Sequence, residues 1–206
     1  MKKVLYFLCL LGFAATAGAN SGDVLFETNF GDITIDLHPE LAPITVENFT
    51  GYVEDGFYDV LVFHRVVEDF MIQAGAYDAD LNYQPPTRDP IVNEFGLSNV
   101  RGTVAMAKLG GDPDSATSQF FINLTDNSGP PPALDTQNGG FTVFGDVILG
   151  MDVVDSIAQV STYSTNGLDN VPEEPVIIEK ATVIPEPATI LLLGFGCLAL
   201  VRKRKG

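Results

Sequence analysis

The stretch Phe63–Gly75, with the sequence FHRVVEDFMIQAG, combines β-branched and aromatic residues with a single arginine. This composition is typical of two short β-strands. Because side chains alternate along a strand, Phe63, Arg65 and Val67 are predicted to share one face. A guanidinium that faces apolar neighbours needs a polar partner, and Gln73 can provide one. The stretch therefore predicts a β-sheet with a cation facing an apolar groove.

Arg65 has a second possible environment. On an exposed strand it would pair with the neighbouring carboxylates of Glu68 or Asp69. Five basic and 26 acidic residues between Asn20 and Ile184 give this part of the chain a net charge of −21. A surface of that charge repels a phosphate backbone, so we exclude nucleic-acid binding.

Short runs rich in β-forming residues continue on both sides of this stretch, with Gly, Pro, Asn and Asp between them. The runs are VLFET (24–28), DITIDL (32–37), VLVFHRVV (60–67), FMIQAG (70–75), GTVAMAK (102–108), SQFFINL (118–124), FTVFGDVI (141–148) and VIIEKATV (176–183). Many short strands separated by turn residues predict a closed barrel or a sandwich.

Two segments change to helical spacing. Within residues 42–56, Val46, Phe49 and Val53 recur three to four positions apart, and a second segment runs from Met151 to about residue 159. Both predict short helices with one apolar face. The chain is therefore mainly β, and two helices could cap the ends of an eight-stranded barrel.

Residues for covalent or metal chemistry are scarce. Both cysteines, Cys9 and Cys197, lie in apolar terminal segments, and no G-x-S-x-G motif or phosphate-binding glycine loop occurs. The motif Asp78-x-Asp80-x-Asn82 begins like a calcium loop, but Tyr83 occupies the position that requires glycine. We therefore predict neither a metal nor a cofactor.

Residues 1–19 have the organisation of a secretory signal peptide. Lys2 and Lys3 precede the apolar run VLYFLCLLGFAA, and Ala17-Gly18-Ala19 provides small residues for cleavage. Cleavage after this site would make Asn20 the new N-terminus, and we expect residues 20–184 to form the exported domain. An uncleaved membrane anchor is the alternative.

Residues 185–206 resemble the PEP-CTERM sorting signal of exported bacterial proteins. Pro185-Glu186-Pro187 precedes the uncharged run Ala188–Val201, and four basic residues follow it. The resemblance implies removal by an exosortase-type enzyme. The precursor would then be membrane-associated only through this segment, and the product periplasmic, cell-surface or extracellular. A buried core helix is the alternative.

Several separated motifs resemble the cyclophilin-type peptidyl-prolyl isomerases in order and spacing. They are VENF (46–49), FHRVVEDFMIQAG (63–75), GTVAMA (102–107), SQFFINL (118–124) and FTVFGDVILGMDVVD (141–155). The resemblance extends from about Val24 to Val183. It implies a closed eight-stranded antiparallel β-barrel capped by two α-helices. It also implies cofactor-free isomerisation of X-Pro bonds in proline-containing polypeptides, here exported proteins during folding.

The same resemblance implies a set of site residues. Arg65 matches the catalytic arginine and Gln73 the glutamine that orients it. The substrate-binding positions are Phe70, Met71, Ala107, Lys108, Gln119, Phe121, Leu134 and Phe141.

Three positions depart from the family pattern. Ala133 stands where many members carry Trp, Phe141 where many carry His, and Lys108 where Asn is common. The first two imply a changed groove rim and weak binding of cyclosporin-like macrocycles. They also keep open a second function, a non-catalytic cyclophilin-like binding or structural module of an extracellular matrix.

Overall fold

The computed structural model describes residues 22–185. The predicted signal peptide, and all of the predicted tail after Pro185, lie outside the described residues. The strands are β1 Asp23–Thr28, β2 Gly31–Leu37, β3 Arg65–Val67, β4 Met71–Ala74, β5 Thr103–Met106, β6 Phe120–Asn123, β7 Val143–Leu149, β8 Thr162–Thr165, β9 Leu168–Pro172 and β10 Ile178–Ile184. The helices are α1 Pro43–Glu54 and α2 Met151–Ala158. Neither helix combines the length and the apolar character that crossing a membrane requires.

Eight of the strands form one antiparallel sheet, in the order β10-β1-β2-β7-β5-β6-β4-β3. Each of these strands coincides with one of the eight β-rich runs of the sequence to within one residue at the outer ends, or is contained in it, which confirms a mainly β fold with two helices. The remaining strands, β8 and β9, form a separate hairpin.

The predicted closed barrel is not confirmed, because the sheet has two edge strands, β10 and β3. Residues 60–67 were expected to form one strand, but only Arg65–Val67 does so. Val60 has a φ of 61°, a conformation that a β-branched residue in an extended strand does not adopt. Leu61 and Val62 then form isolated bridges, to Asp78 beyond the end of β4 and to Ile177 just before β10. The sheet is therefore an open half-barrel.

The main core lies inside the curved sheet and is covered by both helices. Pro43 occupies the first turn of α1, where its missing N–H leaves no helical hydrogen bond unmade. Phe49 of α1 is fully buried, and its ring centroid lies 4.7 Å from that of Phe144 in β7. α2 buries Val154 and Ile157. This packing anchors the strands from which the groove is built.

Strand alternation gives the sheet a second apolar face. Ile72, Val104 and Phe120 point into the main core, whereas their strand neighbours point to the opposite side. The residues on that side form a second, smaller cluster, which we call the outer cluster. Its buried members are Met71, Ala105, Phe121, Leu134 and Val143.

Candidate active site

A row of paired residues crosses five strands on the side of the outer cluster. Arg65 pairs with Gln73, which pairs with Phe121 on its other side. Phe121 pairs in turn with Ala105, and Ala105 with Val143. Side chains at paired positions point to the same face of a sheet. The antiparallel register therefore places the arginine, the glutamine and the apolar side chains next to one another.

Arg65, Gln73 and Phe121 of this row border a groove of about 400 Å³, which we call the main groove. Nine of the ten predicted site residues line it, and the structure brings them together from five separate parts of the chain. They are Arg65, Phe70, Met71, Gln73, Ala107, Lys108, Phe121, Leu134 and Phe141. The tenth, Gln119, lines an adjacent second groove of about 440 Å³ that shares Gln73, Ala107 and Lys108 with the first.

Arg65 enters the main groove with few polar partners. Its Nη1 donates a long hydrogen bond of 3.4 Å to Oε1 of Gln73, the partner expected from the sequence. The Nε2 of Gln73 donates to Oε1 of Gln119 at 2.9 Å. The guanidinium carbon lies 5.9 Å from the centre of the Phe70 ring. Among the described residues the guanidinium forms no other side-chain hydrogen bond, so most of its five N–H groups can donate to a ligand.

Burial and a nearby carboxylate act in opposite directions on Arg65. Burial lowers the pKa of the guanidinium, whereas the negative charge of Asp169 raises it. Asp169 belongs to β9, which packs against β3. This hairpin was not predicted from the sequence, although Asn166-Gly167 is a strong turn signal between two β-rich segments. Asn166 and Gly167 have φ angles of 52° and 80°, as a type I′ turn requires.

Two expectations about the Arg65 surroundings are wrong. Phe63 does not share a face with Arg65, because the strand begins at Arg65 and Phe63 packs in the main core. The alternative ion pair with Glu68 or Asp69 is also not formed. Within residues 22–185, the arginine ion pairs are Arg88–Asp55 and Arg101–Asp155, and neither involves Arg65.

Asp78 uses its carboxylate to close its own loop. Its Oδ1 accepts hydrogen bonds from the backbone N–H groups of Asp80 and Asn82, and its Oδ2 accepts from the side chains of Asn82 and Gln84. These bonds lower the pKa of the Asp78 carboxyl group. In the described part of the chain, no three His, Cys, Asp or Glu residues are grouped so that they could bind a metal ion.

Two residues of the groove were not predicted. Pro132 and Gln137 line it from the segment between β6 and β7. The sequence places three consecutive prolines in that segment, which indicates a loop but does not indicate which loop residue faces the groove. Ala133 is half-buried with a φ of 62° and does not line the main groove, whereas Phe141 does.

Known proteins are similar to this chain both in sequence and in fold. "Peptidyl-prolyl cis-trans isomerase A" of Dickeya dadantii is 42% identical over 189 residues, which cover 89% of this chain and 96% of that protein. "Peptidyl-prolyl cis-trans isomerase B" of Escherichia coli is 47% identical over 163 residues, covering 78% and 98%. A Cryptosporidium parvum cyclophilin-type isomerase, crystallised in the presence of the dipeptide Ala-Pro, superimposes with a TM-score of 0.64 at 22% identity. The superposition covers 80% of this chain and 99% of the Cryptosporidium parvum chain.

Two family descriptions match separate parts of the chain. Residues 183–205 match the "PEP-CTERM protein-sorting motif". Residues 23–183 match "Cyclophilin type peptidyl-prolyl cis-trans isomerase/CLD", and this match covers nearly the whole described structure. The chain belongs to the cyclophilin-type peptidyl-prolyl cis-trans isomerase family.

Proposed function

We propose that the chain is an exported peptidyl-prolyl cis-trans isomerase that binds X-Pro segments of other exported proteins in the main groove and assists their folding. The observation that carries this proposal is the juxtaposition of Arg65 with the apolar outer cluster. In this assignment Arg65 is the catalytic residue and Gln73 orients it. The remaining predicted residues bind the substrate: Phe70, Met71, Ala107, Lys108, Gln119, Phe121, Leu134 and Phe141.

The reaction is rotation about an amide bond, which breaks no covalent bond. Amide resonance produces a barrier of about 18 to 20 kcal/mol. In the twisted transition state, the nitrogen regains a lone pair that can accept a hydrogen bond. A guanidinium N–H of Arg65 can donate to this nitrogen or to the nearby carbonyl. Because this interaction is stronger in the twisted state than in either planar isomer, it lowers the barrier.

The apolar side of the groove suits a proline ring. Met71, Phe121 and Leu134 are each at most 5% exposed and line the same groove as Arg65. The Phe121 and Phe141 rings pack edge to face, with centroids 5.8 Å apart. A rigid wall of this kind can hold the ring while the preceding residue rotates, and its rigidity reduces the entropic cost of binding.

Export is the second part of the proposal. Residues 1–19 would act as a signal peptide, residues 20–184 as the isomerase domain and residues 185–206 as a sorting tail. The match to the PEP-CTERM motif supports an exported, membrane-associated precursor that an exosortase-type enzyme processes. The processed protein would act in the periplasm, at the cell surface or outside the cell.

The first prediction concerns Arg65. The full-length chain in mild detergent should accelerate cis/trans exchange of an X-Pro peptide, measured by NMR exchange spectroscopy. Arg65→Ala should lower kcat/KM by about 100-fold, or about 2.7 kcal/mol, because a preorganised donor to the transition state is lost. Arg101→Ala is the matched control, since that arginine pairs with Asp155 in α2 and does not line the groove.

Each result of this experiment has a definite meaning. Full activity in a folded Arg65→Ala protein would disprove the assigned role of Arg65. A wild-type protein that binds the peptide, as shown by shifts of the peptide resonances, without accelerating exchange would instead support the non-catalytic binding module.

A further inference from the structure

Lys108 occupies a central place between the two grooves. It lies two residues after the end of β5 and lines both the main groove and the second groove. Its side chain is only partly exposed. A substrate-binding position was assigned to it by resemblance, so the direction of its ammonium group decides what it can do for a bound peptide.

The ammonium group of Lys108 is directed at the rim of the groove. Its Nζ donates a hydrogen bond of 2.6 Å to the backbone carbonyl of Gly140. It also lies 5.0 Å from the centre of the Phe141 ring, within the range of a cation–π interaction. Lys108 thus connects the end of β5 to the segment that enters β7.

Phe141 is the groove residue whose ring lies beside the Lys108 ammonium group. Its ring contacts both Phe121 and Lys108, and it lines the main groove. The backbone before it is a turn in which Asn138, Gly139 and Gly140 have φ angles of 53°, 78° and 77°. A turn of this kind directs the chain but leaves the ring orientation of Phe141 to side-chain contacts.

A second set of contacts fastens the tip of the same turn. The Nδ2 of Asn138 donates to the Leu109 carbonyl at 2.8 Å, and the Gly111 N–H donates to Oδ1 of Asn138 at 3.1 Å. These bonds keep the turn attached to the loop that follows Lys108 without any contribution from the ammonium group. Removing the charge of Lys108 should therefore release the ring without detaching the turn.

We infer that Lys108 is a positioning residue that holds the Phe141 ring against Phe121 and so completes the apolar wall around the substrate proline. This inference rests on the proposed function and deepens it. Lys108 would affect how tightly a proline peptide binds, because Phe141 faces the groove. It would have little effect on the rotation step, because its ammonium group is directed at the rim and Arg65 supplies the donor.

The experiment compares three variants of the full-length chain. Lys108→Met keeps the length of the side chain and removes its charge, and Lys108→Arg keeps the charge. Lys180→Met removes an exposed lysine of β10 as the control. Lys108→Met should raise KM about 3- to 10-fold with kcat changed less than twofold, as expected for loss of a cation–π contact and one hydrogen bond. Lys108→Arg should restore KM to within about twofold of wild type.

A fluorine NMR measurement tests the same inference without any turnover. The 14 phenylalanines are replaced by 4-fluorophenylalanine, and the Phe141 signal is assigned with Phe141→Leu. This signal should shift or broaden in Lys108→Met and stay near its wild-type position in Lys108→Arg and Lys180→Met. Lys108→Gln provides the same test if the Met variant does not fold.

Three outcomes would overturn the inference: a KM and a Phe141 signal unchanged in Lys108→Met, a loss confined to kcat, or an equal loss in the Met and Arg variants. If the wild-type chain fails to accelerate exchange while the Phe141 signal still moves in Lys108→Met, the contact between Lys108 and the Phe141 ring is supported and the proposed isomerase function fails.

Discussion

Arg65 depends on two amide side chains for its orientation. Because the Nε2 of Gln73 donates to Gln119, the Oε1 of Gln73 is turned towards the guanidinium. The opposite orientation would place an NH₂ group against the arginine, with donors on both sides. Gln119 therefore belongs to the proposed site through Gln73, although it lines the second groove.

The second prediction concerns His64, the sequence neighbour of Arg65. It is 4% exposed, and its Nδ1 has no hydrogen-bond partner within residues 22–185. Burial lowers the pKa of its imidazole to about 4, while a backbone hydrogen bond with Val62 acts in the opposite direction and the charge of Arg65 lowers it further. In the unfolded chain the pKa returns to about 6.5, so the unfolded state binds more protons between these two values.

His64 should therefore make the protein acid-sensitive. Its contribution is constant above about pH 6.5, and stability is lost as the pH falls towards 4, by about 3 kcal/mol in total. Urea unfolding at pH 7 and pH 4.5 will measure the difference. His64→Gln should reduce the pH dependence, whereas the control His38→Gln should retain it. The same slope in wild type and His64→Gln would contradict this prediction.

The third prediction concerns Gly150, which joins β7 to α2. Its φ is 85°, and a Cβ atom at this position would overlap the backbone carbonyl of Asp32 in β2. Gly150→Ala should lower the free energy of unfolding by about 2 to 4 kcal/mol, from the strained backbone and the displaced strand together. Gly110→Ala is the control, because nothing lies within 4 Å of its Cβ position. Chemical denaturation that shows equal stability for both variants would disprove this explanation.

The fourth prediction concerns the segment between β6 and β7, which contributes to the rim of the main groove. Cyclosporin-like macrocycles should inhibit weakly, because Phe141 and Ala133 offer no side-chain hydrogen-bond donor where family members often carry His and Trp. The loss of one donor costs about 1 to 3 kcal/mol, which is up to roughly 100-fold in affinity. Inhibition is measured as a titration of isomerase activity. Inhibition at stoichiometric concentrations would show that the rim does not control macrocycle binding.

The sequence was most informative where strand alternation and motif spacing agree. Met71, Gln73 and Phe121 alternate with core residues along β4 and β6, so their common face follows from a period of two. The gap between β3 and β10 could not be predicted, because the β-rich run 60–67 contains no signal for the positive φ of Val60 or for a strand as short as Arg65–Val67. The same limit applies to Pro132 and Gln137. A long loop has no periodicity, so its contacts depend on tertiary packing.

The charge of the whole chain is divided unequally. Residues 20–184 carry −21, whereas the segment Arg202–Lys205 consists of four basic residues. Anionic lipid headgroups attract the basic segment and repel the acidic domain within a Debye length of about 8 Å. While the tail is present, these forces would keep the basic segment on the cytoplasmic side and the domain away from the bilayer.

The fifth prediction is that the mature protein lacks both terminal segments. The run Ala188–Val201 covers only about 21 Å as a helix, which is short for a hydrocarbon core of about 30 Å. Together with the PEP-CTERM match, this favours removal of the tail over permanent anchoring. Intact-mass measurement of protein from the native host should give a chain that begins at Asn20 and ends before Arg202. A mass that retains Arg202–Gly206 would show that the tail is a lasting anchor, and the acidic domain would then remain tethered beside an anionic surface that repels it.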